Sequence, residues 1–299
     1  MAMERPLKPI GLSRVREIVT ALNRIDLARA DYAYLRERIS LLVKGFSLKA
    51  SLVPVGTAFF RGIIYPQRPT HVSALSHPPP EIITNYQRCN CPGCPMFYAG
   101  MDIAAIFAEI DAKQGDKVYL SKWLVEKNFF YFRIPPIPAS EIQNDPAWAN
   151  IETFLETRFI HPIHETFSHQ YKLTAAISQQ FRNGAILVDG IEKSGPRLGA
   201  VAYPSVAHSS RSDNIAIQPS TVQDCLKLQD VREMHVVEHI GNSRKVQYLD
   251  FSANFDLGLI NWAGRMPQWT IGPGEVVTFA VEQYEWVARK DNGSIVHPA

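Results

Sequence analysis

Charge excess of either sign is what this sequence most clearly lacks. Its 31 lysines and arginines stand against 29 aspartates and glutamates, for a formal net charge of +2. So small an imbalance creates no field able to gather a polyanion, and no nucleic-acid partner is expected. Long apolar runs are missing too: none approaches the roughly 20 residues that cross a bilayer, so no membrane partner is expected. The opening MAMERPLKPIGLSR carries positive charge without the apolar stretch of a secretory signal. Cysteine is scarce, with four in 299 residues and three of them between 89 and 94. That excludes the disulfide framework of a small secreted domain and suits a reducing, cytoplasmic compartment. Glycine (17) and proline (21) are near ordinary usage and no internal repeat is visible, which excludes a fibrous or low-complexity chain. The usual dinucleotide, phosphate-loop and hydrolase-elbow motifs are absent. What is present is apolar mass: 46% hydrophobic and 10% aromatic residues, enough for one large core or two smaller ones and too much for general disorder.

The period of the apolar positions sets the organisation. From Ser13 to Leu42, Val15, Ile18, Val19, Leu22 and Ile25, then Leu35, Ile39 and Leu42, keep a helical spacing, with a break near Ala28–Asp31 that predicts two helices. The segment VPVGTAFFRGIIYP then reads as a strand. The prolines at 78–80 require a loop. PMFYAG and KVYLSKWLV read as strands, with MDIAAIFAEID between them as a helix turning Ile103, Ile106, Phe107 and Ile110 inward. Pro146 suits the first turn of a helix through ANIETFLETRFI, and KLTAAISQQF predicts another with Gly184 as its stop. GAILVDGI, LGAVAYPSV, REMHVVEHI, KVQYLDFSA and EVVTFAVEQYEWV are five further strand candidates. Few helices separate them, so the sheet is expected to be mixed or antiparallel and the class α+β. Residues 1–50 form an N-terminal helical segment and 51–299 the main domain in this reading.

Two clusters suggest chemistry and weaken on inspection. Cys89, Cys91 and Cys94 form C-x-C-x2-C, but structural zinc closes four ligands and Cys225 is 131 residues on. Nothing in the sequence brings a histidine such as His77 to them, so three reduced thiols around a Pro-Gly turn is the better reading. In HPIHETFSH, His164 and His169 are five apart, about 140° around a helix, where a zinc-protease face needs four. No metal is expected.

The informative pattern runs from Phe60 to Glu109 and resumes at Ser205. FFRG with Arg61, then VSALSHPPPEIITNYQRCNCPGCPMFYAG, then DIAAIFAEI with Glu109, AVAYPSV with Ser205, and RSDNIAIQPSTV stand in one order. In that order they resemble the RES-domain family, named for an arginine, a glutamate and a serine, over about residues 55 to 225. The naming arginine looks like Arg88. Gln87 stands where members commonly have glycine, and compact toxins lack residues equivalent to 1–50. The resemblance implies an ADP-ribosyltransferase-like fold and consumption of NAD, often as the toxin of a toxin–antitoxin pair with a protein antitoxin as partner.

That resemblance also implies a site. Cleavage of the nicotinamide–ribose bond passes through an oxocarbenium-like state, and its leaving group is already a cationic pyridinium. The protein must supply position and negative potential. Glu109 would accept from a ribose hydroxyl and stabilise the positive charge. Arg61 and Arg88 would hold the pyrophosphate by forked bonds. Tyr98 and Tyr65 would offer a ring or a hydroxyl, Ser205 would position nicotinamide or ribose, and Asn90 and Asn214 would add hydrogen bonds. NAD is then substrate rather than resident cofactor. The acceptor stays open between water (glycohydrolase), phosphate (phosphorylase) and a macromolecule (ADP-ribosyltransferase), as does an inert RES-fold binding or immunity module; a homo-oligomer is compatible with all of them.

Overall fold

The computed structural model describes residues 8–161, 163, 165–183, 197–205, 213–241, 243–264, 269–274, 276–282 and 285–297. In chain order the helices are α1 (Leu12–Arg24), α2 (Tyr32–Val43), α3 (Ile103–Glu109), α4 (Pro146–Phe159), α5 (Lys172–Asn183) and α6 (Pro219–Cys225). The main strands are β1 (Ser51–Val53), β2 (Ala58–Ile64), β3 (Phe97–Gly100), β4 (Lys117–Val125), β5 (Phe129–Arg133), β6 (Arg197–Pro204), β7 (Asp213–Ile217), β8 (Leu226–Ile240) and β9 (Ser243–Ser252). Three more, β10 (Val277–Glu282), β11 (Glu285–Lys290) and β12 (Ile295–Val296), make a small antiparallel sheet. The class is α+β. The chain divides into two compact units, each assembled from three stretches of sequence.

The first unit comprises Met1–Thr57, His77–Met101 and Val125–Lys227. Its strands lie in the order β1-β5-β6-β7-β3, antiparallel except for the parallel pair β5/β6. A parallel neighbour needs a long crossover, and α4 and α5 occupy that connection. The predicted break in the N-terminal helices is built by aspartates. The Asp26 carbonyl and carboxylate accept from the backbone N–H groups of Ala28, Arg29 and Ala30, and Asp31 then caps α2 by accepting from Ala33 and Tyr34. Asp145 caps α4 in the same way, with Pro146 in the first turn as expected. Helix α1 packs on α4 and α2 on α5. Val15, Ile18 and Leu22 of α1, with Leu35 and Ile39 of α2, join Trp148, Phe159 and Phe181 in one apolar cluster. On the sheet, Phe132, Val201, Ala216 and Tyr98 stand side by side across four strands, and all four belong to or pack against that cluster. The helices therefore cover the face of the sheet that carries Tyr98.

The second unit comprises Ala58–Ser76, Asp102–Leu124 and Leu228–Ala299. Its strands run in the order β2-β4-β8-β9. Asp102 caps α3 through Ala104 and Ala105, and the helix buries Ile106 and Phe107 against Val118, Leu120, Met234 and Val236. Gly62 allows that helix its close approach to β2: a Cβ there would lie 2.8 Å from Ile106 Cγ2. Glu233 and Asp250, 3% and 0% exposed, face each other in register on β8 and β9. Arg68 bridges them, donating to Glu233 and lying 2.8 Å from Asp250, with its guanidinium 4.8 Å from the centre of the Trp262 ring.

Several expectations need correction. The predicted strand over VPVGTAFFRGIIYP is broken: Val53 ends β1 and Ala58–Ile64 form β2, and between them Gly56 takes φ +89° and its N–H donates to the Val125 carbonyl. EVVTFAVEQYEWV holds two strands, not one, paired antiparallel with Glu282 opposite Glu285. Strands β5 and β7, helix α6 and the first residues of β8, 226–231, were not anticipated. Two further short strands, Leu48–Lys49 and Ile137–Pro138, pair with each other. The GAILVDGI strand and the Gly184 stop lie outside the described residues. No helix among the described residues is long and apolar enough to cross a membrane.

Removing Arg68 takes the bridging cation from two buried carboxylates and leaves Glu233 the more distant Lys117 at 3.7 Å. R68A is expected to cost roughly 3 kcal/mol, the low end for deleting one partner of a buried ion pair, since Arg68 itself is partly exposed. Urea denaturation would measure it. A change below about 0.5 kcal/mol, the scale of an ordinary surface substitution, would show the cluster to be unimportant.

Candidate functional site

In the first unit a tight turn precedes β3. The backbone groups of Gln87 and Asn90 bond to each other at 3.0 and 3.3 Å, which brings Arg88 and Cys89 to the tip. The Tyr98 hydroxyl anchors this turn. It accepts from the Cys89 N–H at 3.1 Å and donates to the Asn90 side-chain oxygen. Asn90 is completely buried. Burial drives the Tyr98 phenol well above its ordinary value of 10, with Cys89 adding to the rise, so the hydroxyl stays protonated and able to donate.

Arg88 points to the end of α4. Its Nη1 donates to the Phe159 carbonyl at 2.6 Å and its Nη2 to the His161 carbonyl at 3.3 Å. Carbonyls at a helix C-terminus lack intrahelical partners and carry the negative end of the helix dipole, so a guanidinium suits that place doubly. The rings of Tyr171 and Tyr203 lie 5.5 and 5.8 Å from its central carbon. Tyr203 on β6 pairs with Asn214 on β7, which in turn pairs with Gly100 on β3. Ser205 follows β6 directly and is half-buried. Beside Asn214, the Asp213 carboxylate accepts both Nε (2.8 Å) and Nη2 (3.4 Å) of Arg133.

The second unit holds the other candidates. Arg61 lies in β2 opposite Ser121, whose hydroxyl donates to the Arg61 carbonyl at 3.1 Å and accepts from Trp123 Nε1 at 2.9 Å. Glu109, half-buried, is the last residue of α3, and the exposed Tyr65 comes directly after β2.

A family model described as the RES domain matches residues 63–237, more than half of the chain. The chain belongs to the RES-domain family. Membership places it in a family that acts on NAD and is toxin-like in general. The match takes in Tyr65, Arg88, Asn90, Tyr98, Glu109, Ser205 and Asn214, while Arg61 stands two residues before it. A search of curated proteins found no match to the chain.

In this RES domain the structure bonds Tyr98 to Asn90 at the turn that carries Arg88. It sets Asn214 in the sheet row of Tyr203, a ring that Arg88 touches. Both Nη atoms of Arg88 meet backbone carbonyls, and the Tyr98 hydroxyl and the Asn90 oxygen meet each other. These three first hold a turn to a sheet and a helix end. Tyr171 and Tyr203 were not singled out, although Tyr203 lies in the quoted AVAYPSV and alternates with Ser205; nothing in the sequence marks it as the ring beneath Arg88.

Among the described residues no group of three or more potential ligands could hold a metal ion. Cys89 is buried, with its thiol pushed up to about 12 by desolvation, and Ser178 is its hydrogen-bond neighbour. His77 Nδ1 lies 3.2 Å from the Pro78 carbonyl oxygen, and His169 meets the Phe167 ring edge-on. His164 lies outside the described residues. A cleft lined by Val19 and Asn23 of α1 and by Asn150, Thr153 and Thr157 of α4 contains none of the candidate residues.

Y98F removes the shared hydroxyl and strands a Cys89 N–H and an Asn90 oxygen. It is expected to cost about 1–3 kcal/mol in denaturant unfolding. Because the folded phenol titrates above the unfolded one, its contribution is complete below about pH 10 and is lost as pH rises beyond that. The wild type should therefore lose stability above pH 10 more steeply than Y98F. Parallel alkaline profiles of the two proteins would contradict the buried-phenol assignment.

Proposed function

We propose that this RES-domain protein cleaves the nicotinamide–ribose bond of NAD and passes the ADP-ribosyl group to water or phosphate. The observation that carries the reading is the joint one: the family match spans seven of the eight candidate residues, and two of those, Tyr98 and Asn90, are bonded to each other at the turn that carries a third, Arg88. In the reaction the C–N bond breaks with its electron pair going to the pyridinium, which leaves as neutral nicotinamide. The acceptor oxygen then bonds to the anomeric carbon and loses its proton to solvent.

The residues present suit that task. Arg88 is a fixed positive charge, held by two carbonyls and flanked by two tyrosine rings, that favours the phosphates of the substrate. Tyr98 and Asn90 are positioning residues that set the Arg88 turn. Glu109 supplies the carboxylate that stabilises the developing cation, and Arg61 a second guanidinium for the pyrophosphate. Ser205, Asn214 and Tyr65 supply polar contacts to ribose or nicotinamide. In a toxin setting, a protein antitoxin would be the partner that restrains this activity.

NAD is to be incubated with the purified protein, with and without phosphate, and the products separated. Free ADP-ribose marks a glycohydrolase and ADP-ribose 1-phosphate a phosphorylase, whereas label on a macromolecule marks transfer. E109Q keeps the shape and removes the charge, and turnover should fall at least about tenfold while the melting temperature holds. R88A should lose as much with a lowered melting temperature, because it also releases the end of α4. Intact NAD after prolonged incubation at high protein concentration would leave the inert binding module as the surviving reading.

A further inference from the structure

One feature of the first unit is not used by NAD chemistry. Cys91 and Cys94 flank Pro92-Gly93, and their sulfurs lie 2.8 Å apart as free thiols. The turn brings them there. Proline presets the first central residue, Gly93 takes φ +71° at the second, and the Cys94 N–H closes the turn on the Cys91 carbonyl at 3.1 Å. The Gly93 N–H fixes the turn from outside by donating to the Ile83 carbonyl at 2.9 Å. Both cysteines are half-buried, while Cys89 and Cys225 are buried. Tyr32, at the start of α2, lies against Cys91, and its ring centre is 5.3 Å from that of Tyr86.

From this geometry we infer that Cys91 and Cys94 are a redox-active dithiol, which exchanges with low-molecular-weight disulfides and closes reversibly across the Pro-Gly turn. A bonded pair needs sulfurs about 2.05 Å apart, less than 1 Å from their present separation, so closure asks for little backbone movement. Such a pair agrees with a reducing compartment, where disulfides that form are usually transient ones.

The exchange balances as follows. The Cys94 thiolate attacks one sulfur of a disulfide such as glutathione disulfide, forming a mixed disulfide and expelling one thiolate, which takes up the Cys94 proton. Cys91 then loses its proton and attacks the Cys94 sulfur, and the second small thiol leaves with that proton. The protein gives up two electrons and the small disulfide becomes two thiols. Burial, with Cys94 as neighbour, pushes the Cys91 thiol up to about 11, so Cys91 is not the thiol that opens the exchange. The consequence is local. The turn that closes begins one residue after Asn90, which bonds to the Tyr98 hydroxyl, so oxidation stiffens the chain carrying Arg88 and Asn90.

The full-length protein is to be equilibrated with mixtures of reduced and oxidised glutathione, quenched in acid, alkylated when unfolded and weighed intact. The expected result is conversion from four alkylated cysteines to two with no stable intermediate, a Cys91–Cys94 linkage in the peptide map, and loss of the conversion in both C91S and C94S. Hydrogen exchange across residues 83–98 should slow on oxidation and recover with dithiothreitol. Four free thiols in glutathione disulfide alone, a persistent glutathione adduct in the wild type, or a linkage to Cys89 would each overturn the assignment. None of these readouts involves NAD, so the dithiol and the proposed enzyme activity can fail separately.

Discussion

The Arg88 guanidinium and the end of α4 depend on each other. A helix C-terminus leaves carbonyls without intrahelical partners, and a half-buried cation needs acceptors; the bonds from Arg88 to Phe159 and His161 answer both needs. The interaction constrains more than its two partners. It ties the 87–90 turn, which has little apolar mass of its own, to a helix whose Trp148 and Phe159 lie in the main core of the first unit. The Tyr98 hydroxyl performs the matching task from the sheet. A short loop is thereby held from two sides by a rigid scaffold, the condition under which a loop residue can keep a charge in a defined place.

The second unit uses a related device for a different end. Arg68 sets its charge between Glu233 and Asp250 and its plane over Trp262, so two buried carboxylates are matched on the spot. There the ion pairs join β8 and β9 to the segment after β2, with Lys117 on β4 adding a weaker contact at 3.7 Å from Glu233. Arginine serves in both units because its planar fork can meet two acceptors at once, which a lysine ammonium cannot reproduce in the same geometry.

Much of the framework was legible from local rules. The two N-terminal helices and their break followed from the apolar period, and the capping aspartates confirm the break at Asp26 and Asp31. The start of α4 at Pro146, the helix holding Ile106 and Phe107, and the strand at Lys117–Val125 followed in the same way. What escaped was decided by distant partners. FFYFR and DNIAI are too short and lack the polar–apolar alternation to declare themselves as strands, and they are strands because β6 lies between them. The two strands paired after Val277 share one alternation along the sequence, with no Gly or Pro between them to part them.

The site divides along the same line. Order and residue type along the chain determined the family, because a pattern of Arg, Tyr, Glu, Ser and Asn in short motifs survives without knowledge of their partners. They also determined that the thiols would crowd at a Pro-Gly turn. Only the tertiary structure decided what those side chains do: that Arg88 meets the carbonyls of a helix 71 positions away, that Tyr98 bonds to Cys89 and Asn90, and that Tyr171 and Tyr203 supply the rings beside the cation. The physical reason is that a hydrogen bond or ring contact depends on distances of a few ångströms in space. Spacing along the chain fixes such distances within a helix turn or a tight turn, and leaves them open across a core.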